Sequence, residues 1–146
     1  MSITIGTRAT GVPVATGRLA LLGAAAVAGL LGFATGGGDG GTGSDLLLLM
    51  RFMAAVKAAM ALGAVALVAW RMGAPIGRGT AAAYVAATAV MMVGPGLIWD
   101  MRHVAYGAMA VHGGLSLILV VGWLDRTGWN GVLRDAVAHR RARLAR

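Results

Sequence analysis

Four long stretches of apolar and small residues, each close to the length that crosses a bilayer, leave this 146-residue chain few folds to choose from. They run from Leu19 to Thr35, Leu46 to Trp70, Thr80 to Trp99 and His103 to Leu124. Hydrocarbon offers no partner to a backbone amide or carbonyl, so each stretch must satisfy its own and is expected to be a helix. The expected fold is an all-α integral membrane protein with four transmembrane helices. Composition supports this, since 58% of the residues are hydrophobic and only 12% charged. A soluble domain carries about a quarter charged residues.

Residues 1–18 read as a cytoplasmic N-terminal segment, 19–124 as the transmembrane domain and 125–146 as a basic tail. The first span shares a basic start and small residues around Phe33-Ala34-Thr35 with secretory signals. It is expected to be retained as a helix. The glycine-rich run Gly36 to Gly43 lacks the Gly-Lys-Ser/Thr of a phosphate loop and the stacked repeats of a calcium site. It reads as a linker ending in Ser44 and Asp45, either of which can cap the next helix. Gly94-Pro95-Gly96, near the end of the third span, is expected to loosen that helix, because proline removes an amide donor.

Basic residues orient the four spans. Arg8, Arg18, Arg71, Arg78, Arg126, Arg134, Arg140, Arg141, Arg143 and Arg146 fall on one side, against Arg51, Lys57 and Arg102 on the other. The positive-inside rule then places both termini in the cytoplasm, in a membrane of the bacterial inner type. Trp70, Trp99 and Trp123 each end a span, where an interface favours an amphipathic ring. In the tail, Trp129, Val132, Leu133, Ala136, Val137 and Leu144 recur at helical spacing. This predicts an amphipathic helix on the cytoplasmic leaflet, with Arg140, Arg141 and Arg143 facing anionic lipid. Nothing in the tail resembles a nucleic-acid reader.

The chemistry available is narrow. The chain has no cysteine and no glutamate, which excludes disulfides, thiolate nucleophiles and Cys-ligated metals. None of Asp39, Asp45, Asp100, Asp125 or Asp135 falls within a span interior, and coupled carriers generally place a carboxylate there. No catalytic triad or metal-ligand cluster is visible, so the chain is not expected to be an enzyme. Lys57, in the outer half of the second span, is expected to snorkel to the interface, to pair with Asp100, or to contact a lipid phosphate or a partner's carboxylate.

His112, near the middle of the fourth span, is the ionisable residue with the sharpest functional reading. Small neighbours such as Ala105 and Ala108 leave room for a flat tetrapyrrole, haem or bacteriochlorophyll, with the imidazole as axial ligand. Ala108-x-x-x-His112, followed by Trp123, resembles the pigment-ligating stretch of bacterial light-harvesting polypeptides. That resemblance implies a histidine bound to bacteriochlorophyll magnesium with alanine giving clearance, although antenna polypeptides span the membrane once. The alternative is a packing histidine bonded to a neighbouring helix. His103 cannot join His112 on one haem. Nine residues of helix leave the two half a turn out of phase and about 13 Å apart along the axis. His139, in the basic tail, reads as a solvated residue.

Small residues at four-residue spacing let helix backbones approach. They occur as Ala55, Ala59 and Gly63 on the second span, Ala25/Gly29 and Ala28/Gly32 on the first, and Ala110 and Gly114 on the fourth. Methionines such as Met53, Met60 and Met91 are adaptable filler at such contacts. The expected function is a non-catalytic accessory or structural subunit of a larger membrane complex, respiratory or photosynthetic, in contact with other transmembrane subunits and with lipid. The alternatives are a tetrapyrrole-binding membrane protein acting through His112, and a small carrier or channel subunit.

Overall fold

A computed structural model describes residues 11–36, 44–99, 101 and 103–144. Their regular structure is five helices: α1 (Val14–Gly36), α2 (Ser44–Arg71), α3 (Arg78–Trp99), α4 (Val104–Leu124) and α5 (Arg126–Leu144). The first four are long and apolar enough to cross a membrane. Among the described residues the only extended pairing is an isolated antiparallel bridge between Gly11 and Gly77. The linker residues 37–43, with Asp39, lie outside the described residues, as do Asp100 and Arg102.

Local chemistry explains where the helices begin. α1 starts before the apolar run and takes in Arg18, because Pro13 stands just ahead of Val14, where a missing amide costs no helical bond. The Gly17 amide closes that first turn on the Pro13 carbonyl at 3.0 Å. α2 carries Asp45 in its first turn, where a carboxylate opposes the positive end of the helix dipole. The α3–α4 connection turns at Met101, whose φ of 61° is left-handed, with its amide on the Ile98 carbonyl at 3.1 Å.

α3 is the central helix and packs against α1, α2 and α4. Half of its apolar window is buried, against 28% for α1 and 22% for α2 and α4. The expected loosening at Gly94-Pro95-Gly96 is corrected here, since α3 runs unbroken through Pro95 to Trp99. The two glycines serve close approach instead. A Cβ on Gly94 would run into Val111 and the Gly107 carbonyl of α4, and one on Gly96 into the backbone of Gly32 and Phe33 in α1. Helices on both sides therefore touch α3 where it lacks side chains, and backbones that approach this closely gain dispersion along the contact.

The small-residue faces divide. Ala25, Ala28, Gly29 and Gly32 of α1 are buried, and Gly114 of α4 is buried against Met91 and Ala87 while Ala110 is half-buried. On α2 the buried line is Ala54, Ala61, Val65 and Val68. Ala55, Ala59 and Gly63 face outward, and no atom lies within 4 Å of where a Gly63 Cβ would stand.

The start of α1, the α2–α3 turn and α5 share one end of the bundle. The Val12 amide donates to the Ile76 carbonyl at 3.3 Å, and the Arg18 Nε donates to the Ala69 carbonyl at 3.0 Å. Only Asp125 separates α4 from α5. From that elbow α5 crosses the bundle end, and Val132, Ala136 and His139 share a cleft of about 320 Å³ with Arg18, Trp70 and Gly73.

Candidate functional site: a buried polar cluster at the bundle end

α2 ends on Arg71, and the guanidinium is 2% exposed. A buried cation needs a nearby counter-charge and hydrogen bonds to replace water. Both come from Asp125, whose position at the α4–α5 elbow brings its carboxylate back over the end of α2. Arg71 Nε donates to Oδ2 at 2.7 Å and Nη2 to Oδ1 at 2.9 Å, a planar two-pronged pair. The Asp125 side chain is 15% exposed, so the pair is largely withdrawn from solvent.

Two aromatic residues complete the cluster. Tyr84, in the second turn of α3, is fully buried. Its hydroxyl accepts a hydrogen bond from Trp129 Nε1 of α5 at 2.8 Å and makes a longer 3.5 Å donation to Asp125 Oδ2. One turn deeper, Thr88 Oγ1 donates to the Tyr84 carbonyl at 2.8 Å. The Trp129 ring also lies 6.0 Å from that of Trp70. Gly128 lets α5 come down onto this assembly, since a Cβ there would collide with the Arg71 guanidinium. The remaining nitrogen, Arg71 Nη1, is buried with no hydrogen-bond partner among the described groups. The cluster ties α2, α3, the elbow and α5 to one another. It holds a charge pair and two aromatic donors, and its chemistry is that of a clasp.

Of the residues singled out from the sequence, Trp129 belongs to this cluster and Trp70 lies against it, while the others sit elsewhere. His112 lies on the exposed face of α4, and its Nδ1 is 2.7 Å from the Ala108 carbonyl, one turn back in its own helix. The bond expected to reach a neighbouring helix therefore closes within α4. Lys57 is half-buried, and its suggested partner Asp100 falls outside the described residues. Trp99 meets Phe33 edge-on at 5.9 Å and carries Arg51 5.7 Å above its ring, joining α1, α2 and α3 at the end of the bundle opposite Arg71. Trp123 is exposed, with the Arg126 guanidinium 5.8 Å from its ring centre. Arg140 and Arg141 are exposed on α5, and the side chain of Arg143 is outside the described set. Among the described residues no three His, Asp or Glu side chains converge as metal ligands.

From the sequence Arg71 reads only as an orienting charge, Asp125 as a segment boundary and Trp129 as an apolar position of the tail helix, and Tyr84 carries no reading. One signal was present. The orientation that gathers the arginines also brings Arg71 to the end of the bundle that holds only two aspartates, Asp125 and Asp135. Comparison with protein-family models, curated proteins and solved structures finds no match to this chain.

Proposed function

We propose that the protein is a non-catalytic accessory or structural subunit of a larger membrane assembly, respiratory or photosynthetic, in a bacterial-type inner membrane with both termini cytoplasmic. The observation that carries this reading is the outward face of α2. Ala55, Ala59 and Gly63 form a close-approach stripe that the chain's own bundle leaves uncovered. Lipid tails gain little from such a face, whereas another transmembrane helix gains dispersion along its whole length. The polar cluster is consumed in holding the bundle together, which suits a packing subunit.

Purification in mild detergent followed by mass spectrometry tests the reading. A transmembrane partner should co-purify with the wild type, and Gly63→Leu should release it. That variant should keep the fold, because Gly63 is on the exposed face and nothing from another helix lies within 4 Å of where the new Cβ goes. A protein that runs alone and monomeric would reject the proposal.

A second reading rests on the His112 geometry. The Ala108 carbonyl 2.7 Å from Nδ1 favours the tautomer that leaves the Nε2 lone pair free, the arrangement of a metal-ligating imidazole with its orienting bond in place. The exposed Gly113 and Ser116 beside it leave room for a flat ring. A haem or bacteriochlorophyll held there would supply light absorption or electron transfer, and any second axial ligand would come from a partner. Wild-type material should then absorb in the Soret or near-infrared region, and His112→Leu should abolish the band. Colourless protein in the intact assembly would exclude this reading.

A further inference from the structure

We propose that the groove between α2, α4 and α5 binds one anionic phospholipid, its phosphate at Arg126 and one acyl chain along Leu67, Ile118 and Leu119. The inference is independent of the subunit reading and requires only that α4 cross a bilayer. The groove encloses about 360 Å³ and is graded along its length. Its inner part is wholly apolar, with buried Ile118 as the floor and exposed Leu67 and Leu119 as the sides. Gly122 keeps it open toward the elbow, where a larger side chain would stand between the groove and Trp129. Its outer part is formed by Arg126, Trp129 and Asn130 at the start of α5, and with the Trp129 indole N–H turned to Tyr84 the polar groups there are the Arg126 guanidinium and the Asn130 amide.

This order matches a phospholipid entering from the membrane surface, with the acyl chain toward the bilayer centre and the phosphate at the elbow. Charge complementarity selects an anionic lipid. Asp125, the carboxylate next to Arg126 in the chain, is taken up by both prongs of Arg71, so it does not neutralise Arg126. The Trp123 ring, with the Arg126 guanidinium 5.8 Å from its centre, holds that cation at the groove mouth. Asn130, one turn further along α5, adds an amide donor for a phosphate or glycerol oxygen. If the arginine-rich end is cytoplasmic, the mouth opens onto the leaflet where anionic lipids concentrate.

Native mass spectrometry of the full-length protein tests this. The protein is offered equal amounts of phosphatidylglycerol and phosphatidylcholine in mild detergent, and each lipid retained is counted. Wild type should retain one phosphatidylglycerol in preference. Arg126→Gln should lower that preference about fivefold, the effect of one lost arginine–headgroup contact. Arg78→Gln, which removes the same charge at the exposed start of α3 and outside the groove, should leave it unchanged. Leu119→Trp, at an outward-facing position that does not support the core, should displace lipid of either headgroup. Equal losses from Arg126→Gln and Arg78→Gln would reduce the effect to general surface charge and overturn the proposal. So would lipid retention unaffected by Leu119→Trp, or a lipid-free dimer that Leu119→Trp dissociates, which would assign the groove to a second copy.

Discussion

Arg71 and Asp125, 54 residues apart in the chain, meet through two parallel hydrogen bonds of 2.7 and 2.9 Å at the end of the bundle. The pair joins the last residue of α2 to the single residue between α4 and α5, so it fixes both the closure of the bundle and the departure angle of the tail. Tyr84 and Trp129 brace it from α3 and α5.

Removing one charge should cost far more than removing both. Asp125→Ala leaves a buried guanidinium without its counter-charge and should destabilise the fold by about 3–5 kcal/mol. The double variant Arg71→Met/Asp125→Leu, which leaves no orphan charge, should recover most of that loss. Thermal unfolding of the three proteins in one detergent checks the order.

The Trp129–Tyr84 bond should measure as a weak but real tether. Trp129→Phe and Tyr84→Phe should each cost about 1 kcal/mol. A double-mutant cycle should show coupling between them, because both remove the same 2.8 Å bond. Hydrogen exchange should rise first along α5 in either variant and leave the centre of α3 protected.

Two glycines of α5 should respond to alanine in opposite directions. Gly128→Ala sets a methyl group against the Arg71 guanidinium, and α5 should lift and become open to protease. Gly131→Ala meets nothing within 4 Å and should stabilise the helix by up to about 1 kcal/mol. Limited proteolysis and melting temperature together separate the two outcomes.

Adjacent glycines of α4 offer the same contrast within the apolar bundle. A Cβ on Gly114 would stand 2.7 Å from the Met91 Cβ and 2.8 Å from the Ala87 carbonyl, so Gly114→Ala should cost about 1–3 kcal/mol by forcing α3 and α4 apart. Gly113→Ala, with open space before it, should be nearly silent. Unfolding in detergent, read by circular dichroism, gives both values.

The helices were legible in the sequence because their cause is local. An apolar run of spanning length must close its own hydrogen bonds wherever it sits, so four such runs predict four helices to within a few residues. That the tail would be helical was also legible from local spacing, although of its predicted apolar positions Val132 is half-buried while Leu133 and Val137 are exposed. The starts of α2 and α3 fall two residues ahead of the apolar runs, and the largest shift is at α1, where Pro13 stands ahead of the first turn. Which face of each helix turns inward was not legible. In water, apolarity marks the inside of a fold, but lipid tails are as apolar as leucine, so Ala54 and Ala55 read alike although one is buried and the other is not. Nor could the chain alone match Arg71 to Asp125 rather than Asp135. Sequence by itself determined that there would be four membrane-length helices and a basic tail. The tertiary structure decided which faces meet and which charges pair, because those depend on how closely distant segments can approach, and that is settled only where Gly94, Gly96, Gly114 and Gly128 admit a neighbour.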